Sequence, residues 1–170
     1  MKLIEAMKQC KDLAAKAEDL RDKVGKFCAD TNIETSTYPD QRSTIDGWIQ
    51  SHHDIVKRMA YLRTAIQRTN LATAVTIDVG GVAVTKSISE WIHRRKDLAG
   101  LEFAMWGKLT DRNIKEGNLQ SSPGGAVTEI RIRRYYDPAA RDVNRELYRS
   151  EPALINATLE VVNATTDLLE

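Results

Sequence analysis

An apolar stripe at heptad spacing occupies the start of the chain. Its members are Leu3, Met7, Cys10, Ala14, Ala17, Arg21, Val24 and Cys28. Steps that alternate between four and three residues keep one face of an α-helix against a partner helix over many turns. The pattern therefore predicts a long helix over residues 2–29, packed against another helix.

A second stripe supplies that partner helix, which is predicted over residues 40–70. Its apolar side is formed by Ile45, Trp48, His52, Ile55, Met59, Leu62 and Ile66. Residues 30–39 contain Asn, Thr, Ser and Pro without periodicity, which is typical of a loop. Because a short loop joins neighbouring antiparallel helices, we expect the two helices to form a hairpin.

Short β elements are predicted next in the chain. Residues 72–85 are rich in β-branched side chains around Gly80-Gly81, which indicates a β-hairpin with a glycine turn. Ser87 and Glu90 have the spacing of a capping box, so a third helix is predicted over residues 88–113.

The remaining elements are predicted as a polar loop over 114–125, a strand over 126–136 and a kinked helix over 138–168. Asp137-Pro138 suits the N-cap and the first helical position of that helix. Pro152 lies inside it, so we expect a kink or a restart capped by Ser150.

These elements define a mainly α protein with a minor β part. We expect one domain over residues 1–170, in which long antiparallel helices form a bundle or coiled-coil hairpin. A small β-hairpin and one arginine-rich strand accompany the helices. Helices this long beside a modest globular core favour a homo-oligomer, although the same stripes also suit an intramolecular core.

Composition excludes several partners. The formal net charge of +1 gives no global field for nucleic acid. Apolar runs stay shorter than the ~18 residues of a membrane span, and residues 1–6 lack the apolar core of an export signal. Cys10 and Cys28 are interpreted as buried, reduced side chains. We therefore expect a cytoplasmic protein with no membrane partner.

The segment Glu129–Tyr136 concentrates arginine and tyrosine. Arginine donates bidentate hydrogen bonds to phosphate, and tyrosine offers a ring face on which a base can stack. Nearby glycines would let the backbone approach a ligand closely. The predicted ligand is an anionic, nucleotide-like small molecule, and the predicted ligand-binding residues are Arg131, Arg133, Arg134, Tyr135, Tyr136, Gly124 and Gly125.

Strand alternation divides this segment into two faces. Arg131, Arg133 and Tyr135 are predicted to share the face that meets the ligand, with Arg134 and Tyr136 on the other face. Two other interpretations stay open. The segment can be a charged edge strand that deters aggregation, or a subunit interface that pairs with an acidic helix.

The chain lacks the common signatures of catalysis. It contains no G-x-S-x-G, P-loop or G-x-G-x-x-G motif. His52 and His53 are adjacent on a helix and diverge by ~100°, so they do not share a metal ion easily. The helices also lack the carboxylate clusters that hold Mg²⁺ in helical nucleotide hydrolases. We predict no catalytic residue, no metal site and no cofactor.

Short motifs along the chain resemble the septicolysin-like family of small bacterial proteins. They are Met1-Lys2-Leu3, Ile66-Gln67-Arg68-Thr69-Asn70, the helix start from Ser87 to Leu98, and Asn163 to Leu169. The resemblance implies a mostly helical, oligomeric fold without an established activity, and it transfers no functional residue.

These observations favour a non-enzymatic, homo-oligomeric binding protein, of which a sponge that sequesters a nucleotide signal is one form. The first alternative is a structural or protein-interaction oligomer whose arginine strand is a subunit interface. A membrane-active toxin is a further alternative that follows from the family label alone.

Overall fold

The computed structural model describes residues 1–120 and 122–169, so Ser121 of the predicted loop and Glu170 lie outside the described residues. The predicted fold class, mainly α with a minor β part, is confirmed. The elements are α1 (Leu3–Phe27), α2 (Gln41–Ala72), β1 (Ala74–Val79), β2 (Val82–Ser87), α3 (Ile88–His93), a π-helical turn (Arg94–Leu98), α4 (Ala99–Gly107), β3 (Gly117–Gln120), β4 (Val127–Ile130) and α5 (Pro138–Thr165).

The contacts of the chain define two compact units. The first comprises Met1–Val75, Ser87–Ser89 and the C-terminal segment from Leu159, and the second comprises Thr76–Lys86 and Glu90–Thr158. The single domain that the sequence predicts over residues 1–170 stays a prediction, which this division into compact units does not decide.

The first unit contains the helical hairpin of α1 and α2, as the two stripes predict. Asp40 caps α2, because its carboxylate accepts a 2.9 Å hydrogen bond from the backbone N–H of Ser43. Phe27 at the end of α1 lies against Tyr38 and Trp48, with ring centroids 5.4 and 5.9 Å away. This aromatic cluster closes the loop end of the hairpin.

Both ends of the described chain, at Met1 and Leu169, belong to the first unit. Lys2 and Asp167 form an isolated antiparallel β-bridge and a 2.9 Å ion pair. The backbone N–H of Leu168 donates to Met1 O at 2.8 Å, and that of Leu169 donates to Thr69 Oγ1 at 2.9 Å. The buried side chains of this unit include Leu3, Ala6, Leu62, Ala65, Thr69, Leu159 and Leu168.

The cysteines are more accessible than the sequence interpretation stated. Cys10 is half-buried and Cys28 is exposed. Cys28 is the C-cap residue of α1, and its thiol lies 3.6 Å from Gly25 O at the exposed end of the helix. The expectation of two buried cysteines is therefore wrong.

The strands β1 and β2 form the predicted hairpin. Its turn places Gly80 and Gly81 at φ values of +64° and +86°, which glycine adopts without strain. A Cβ on Gly80 would lie 2.9 Å from Leu147 Cδ1, so any other residue at this position would also displace the end of the Leu147 side chain.

The third predicted helix differs from the structure in two ways. It contains the π-helical turn, and it ends at Gly107 instead of residue 113. The turn directs two consecutive arginines to α5: Arg94 binds Glu151 at 2.7 and 2.9 Å, and Arg95 Nη1 donates to Asn156 Oδ1 at 2.7 Å. Adjacent residues of a regular helix diverge by ~100°, and the wider turn reduces that divergence.

The predicted loop 114–125 contains a strand, and the predicted strand 126–136 is shorter. β3 pairs antiparallel with β4, with Gly117 opposite Ile130 and Gln120 opposite Val127. The pairing stops at Ile130, and two residues later the backbone N–H of Ile132 donates to the side chain of Glu116 at 2.9 Å instead of to a strand. Residues 131–136 are irregular, which corrects the predicted strand.

The last helix, α5, is continuous through Pro152. Asp137 caps its first turn, with Oδ1 accepting from the backbone N–H of Ala139 at 2.9 Å. Ser150 does not cap a second helix, because its hydroxyl donates to Leu147 O at 3.1 Å. The predicted restart at Pro152 is therefore wrong. The neighbouring Glu151 binds Arg94 through two hydrogen bonds, which hold the helix at this point.

Candidate functional site

A pocket of about 550 Å³ lies in the second unit, between the turn after α4 and the irregular segment after β4. Its lining residues are Leu109, Thr110, Asp111, Arg112, Ile114, Ile132, Arg133, Arg134, Tyr135 and Tyr136. Four of the predicted ligand-binding residues line it. Arg131, Gly124 and Gly125 are not among the lining residues.

The turn from Asp111 to Ile114 forms one wall. Ile114 N–H donates to Asp111 O at 3.0 Å, and the two central residues, Arg112 and Asn113, have φ values of 56° and 59°. Positive φ at both central positions is the signature of a type I′ turn. The left-handed region costs an ordinary L-residue about 1–2 kcal/mol, and asparagine tolerates it better. Arg112 is therefore held in the pocket wall against its own backbone preference.

Asp111, at the start of this turn, binds the side chains of the opposite wall. Its carboxylate accepts hydrogen bonds from Arg134 Nε at 2.7 Å, from Arg134 Nη2 at 2.6 Å and from Tyr136 Oη at 3.1 Å. The hydrogen bonds from Arg134 are the main cause of the lowered pKa of Asp111, against partial desolvation, and Tyr136 adds to them. The same pair raises the pKa of Arg134. Asp111 thus remains an anion that the chain itself neutralises.

Arg141 of α5 supports this wall from behind. Its Nη1 donates to Leu109 O at 3.1 Å and to Tyr136 Oη at 3.4 Å. Its guanidinium also lies 5.6 Å from the centre of the Tyr136 ring. The Tyr136 ring is therefore fixed on the ring face and at the hydroxyl, which gives the pocket one rigid side.

Arg112 and Arg133 are the cations of the pocket that remain available. Among residues 1–120 and 122–169, neither guanidinium forms an ion pair with a carboxylate. Within the described residues, the side-chain contact of Arg133 is from Nη1 to Tyr135 Oη, at 3.5 Å. Three arginines and one aspartate line the pocket, which leaves an excess of two positive charges. Tyr135 is 87% exposed, so its ring is open to stacking.

The other predicted site residues have local partners. Arg131 Nη2 forms a 2.8 Å ion pair with Glu129. Gly124 has a φ of +79°, and Gly125 N–H donates to Ser122 O at 2.9 Å. A Cβ on Gly125 would lie 3.2 Å from that same carbonyl oxygen. The two glycines therefore serve the turn between β3 and β4.

Sequence reasoning missed Asp111 and Arg112. The predicted helix extended through both residues, although Asp111-Arg112-Asn113 carried a usable signal. Aspartate and asparagine favour turns and tolerate the left-handed region, so their clustering after an apolar helix indicates a helix end. Contact with the arginine segment, 23 residues further along the chain, had no local signal.

The part of the chain that the structure describes contains no group of three or more His, Cys, Asp or Glu side chains placed to hold a metal ion. Within those same residues, the helices are too short or too polar to cross a membrane. No known protein family, curated protein or solved structure matches the chain.

Proposed function

We propose that the chain is a non-enzymatic binding protein that captures an anionic, nucleotide-like small molecule in the Asp111–Tyr136 pocket. Arg112 and Arg133 bind its phosphate, and Tyr135 stacks on its base. The observation that carries this proposal is the presence of two guanidinium groups without ion-pair partners among the described residues of one pocket.

The size and lining of the pocket support a small organic ligand. Its volume of about 550 Å³ falls in the range of pockets for drug-sized molecules, which is roughly 300–1,000 Å³. Leu109, Ile114 and Ile132 provide apolar walls, and the excess positive charge favours a phosphate over a neutral group. A mononucleotide combines the aromatic, polar and anionic parts that these surfaces recognise.

The state of Asp111 supports binding over catalysis. A general base works best when its pKa lies near the operating pH. The pKa of Asp111 is lowered instead, chiefly by the hydrogen bonds from Arg134, so this carboxylate is a weak base. The pocket would hold its ligand without transforming it, which is the behaviour of a protein that sequesters a nucleotide.

Isothermal titration calorimetry with the four ribonucleoside monophosphates tests the proposal. Charge-assisted hydrogen bonds contribute about 1.5–3 kcal/mol each, so Arg112→Gln or Arg133→Gln should weaken binding roughly 10- to 100-fold. Arg95→Gln is the matched control, because Arg95 belongs to the same unit, pairs with Asn156 and does not line the pocket. Wild-type protein that binds none of the four nucleotides would refute the proposal.

Sequestration has a separate test. The wild-type protein is incubated with the tightest nucleotide, denatured by heat, and the released small molecules are identified by mass spectrometry. A sponge returns the nucleotide unchanged, whereas a hydrolase or transferase returns a product.

A second candidate function is that of a structural homo-oligomer with the arginine segment at a subunit interface. The exposed apolar side chains of Leu98, Leu101 and Met105 favour an oligomer, at 43%, 66% and 69% exposure. Their spacing of three and four residues places them on one face of α4 and of the π-helical turn that precedes it. If light scattering finds that Arg112→Gln/Arg133→Gln dissociates the oligomer and calorimetry finds no ligand, this candidate replaces the first.

A further inference from the structure

Arg145 on α5 has an unusual environment. Among residues 1–120 and 122–169, its Nε is the buried side-chain nitrogen or oxygen atom that has no hydrogen-bond partner. Its guanidinium lies 5.2 Å from the centre of the Phe103 ring. Stacking holds the cation in place, but it provides no hydrogen-bond acceptor. Buried polar groups in proteins are almost always hydrogen-bonded, so such an exception needs an explanation, and a bound ion is one of the known explanations.

Arg145 is the middle member of a row of arginines. Arg141, Arg145 and Arg149 follow one another at intervals of four residues, so they lie on the same face of α5. Arg141 pairs with Asp142 at 2.8 Å, and Arg149 pairs with Glu146 at 2.9 and 3.0 Å. Like charges at this spacing repel each other. Among the described residues Arg145 has no close ion pair, although its charge helps to lower the pKa of Asp142.

The surroundings of Arg145 form a cavity of about 220 Å³. Its lining residues are Phe103, Asp142, Arg145, Glu146 and Arg149. Both carboxylates of this cavity are already bound by neighbouring arginines, which lower the pKa of Asp142 and of Glu146. They therefore stay ionised and occupied, and the guanidinium of Arg145 is the group that can accept an added anion.

Arg141 connects this cavity with the Asp111–Tyr136 pocket. It donates to Leu109 O and Tyr136 Oη on the pocket side, and to Asp142 on the cavity side. Arg145 lies four residues further along α5, which corresponds to about 6 Å along the helix axis. A ligand that occupies both sites would therefore have to extend past Arg141.

We propose that Arg145, stacked on Phe103, is a second anion-binding subsite that takes a phosphate group. For the first phosphate, the inference rests on the proposed function: Arg112 and Arg133 bind one phosphate and Arg145 binds the other. The ligand class is then a nucleotide with two separate phosphates, such as a dinucleotide, in preference to a nucleoside monophosphate.

Calorimetry with AMP and with the 5′-phosphorylated dinucleotide pApA tests the two-phosphate ligand. Wild-type protein should bind pApA at least tenfold more tightly than AMP. Arg145→Gln should remove this advantage and leave AMP affinity unchanged, whereas Arg133→Gln should weaken both ligands. The inference is overturned if wild-type protein shows no preference, or if Arg145→Gln retains it.

A thermal-shift experiment with inorganic phosphate tests the subsite without a nucleotide. It uses the Arg133→Gln background, in which the main pocket is weakened, with chloride added to keep ionic strength constant. Phosphate should raise the Tm of Arg133→Gln by more than it raises the Tm of Arg133→Gln/Arg145→Gln. Equal shifts, or no shift in either variant, overturn the subsite. A larger shift in Arg133→Gln supports it even if wild-type protein binds no nucleotide, which would refute the proposed function alone.

Folding of the Arg145 variants has its own control. Arg145→Gln removes an unsatisfied buried donor along with the charge, so its far-UV circular dichroism should match that of the wild type. Arg145→Lys keeps the charge over Phe103 and loses the forked geometry. The phosphate-induced rise in Tm should be smaller in Arg145→Lys than in the protein that keeps Arg145, and larger than in Arg145→Gln. Equal rises in Arg145→Lys and Arg145→Gln would contradict a role for the charge.

Discussion

The substitution Glu151→Gln should destabilise the protein far more than any surface charge does. Glu151 is 3% exposed and receives two hydrogen bonds from Arg94, at 2.7 and 2.9 Å. Glutamine has nearly the same shape, but it is neutral and presents a single acceptor oxygen. The guanidinium of Arg94 would then keep its charge in a partly buried environment without its counter-ion.

The size of the effect follows from how well Arg94 is shielded from water. Breaking a fully buried ion pair on one side costs about 3–5 kcal/mol. The side chain of Arg94 is 21% exposed, and Glu102 lies 3.9 Å from its Nη1, so water and a second carboxylate recover part of that loss. We expect Glu151→Gln to lower the free energy of unfolding by about 2–3 kcal/mol.

Urea denaturation followed by far-UV circular dichroism measures this difference. Glu102→Gln is the matched control, since it removes a carboxylate that contacts the same arginine at 47% exposure. That variant should change the free energy of unfolding by about 0.5 kcal/mol or less. A loss below about 1 kcal/mol for Glu151→Gln, or equal losses in the two variants, would refute the reasoning.

Three further predictions concern the C-terminal segment and the pocket. Leu168→Ala should lower the free energy of unfolding by about 2–4 kcal/mol in urea denaturation, because Leu168 is 8% exposed, while Leu169→Ala, at 46% exposure, should cost about 1 kcal/mol or less. The lowered pKa of Asp111 means that its ion pair stabilises the fold above the ordinary pKa of 3.8 and is lost as the pH falls through the lower, folded-state value. The Tm difference between wild type and Asp111→Asn should therefore narrow in acid, and a constant difference would contradict the assignment. Arg112→Gly should raise the free energy of unfolding by about 0.5–1 kcal/mol while it weakens AMP binding in calorimetry, whereas Asn113→Gly should gain less stability and retain binding. A variant at Arg112 that is destabilised, or that binds AMP normally, would contradict the strained-turn account.

The fold was predictable where its signals are local. The heptad stripes predicted α1 and α2 within a few residues, and Gly80-Gly81 predicted the β1–β2 turn. Helical and strand periodicities are repeated over many residues, so single exceptions do not obscure them. The end of β4 was different, because the contact that follows it, between the backbone of Ile132 and Glu116, spans 16 residues.

Long-range ion pairs explain the other differences. The π-helical turn brings Arg94 to Glu151, 57 residues away, and nothing in either local sequence indicates that contact. The same pair lies beside Pro152, where local rules predict a kink or a restart and α5 is nevertheless continuous. Propensity describes what a segment prefers alone, and a tertiary contact of this strength can override it.

The candidate site was predictable in part. The concentration of arginine and tyrosine identified the segment 131–136, and Arg133, Arg134, Tyr135 and Tyr136 do line one pocket. The two arginines differ because Asp111 binds the guanidinium of Arg134 and leaves that of Arg133 available for a ligand. The ligand-binding role itself stays a prediction.

Phosphorus-31 NMR of AMP during titration with the protein tests the central claim most directly, because it observes the phosphate that Arg112 and Arg133 are proposed to bind. Wild-type protein and the Arg95→Gln control should shift and broaden the phosphate resonance, and Arg112→Gln/Arg133→Gln should leave it as in free AMP. A resonance that the wild type does not perturb, or that the double variant perturbs equally, would contradict the account.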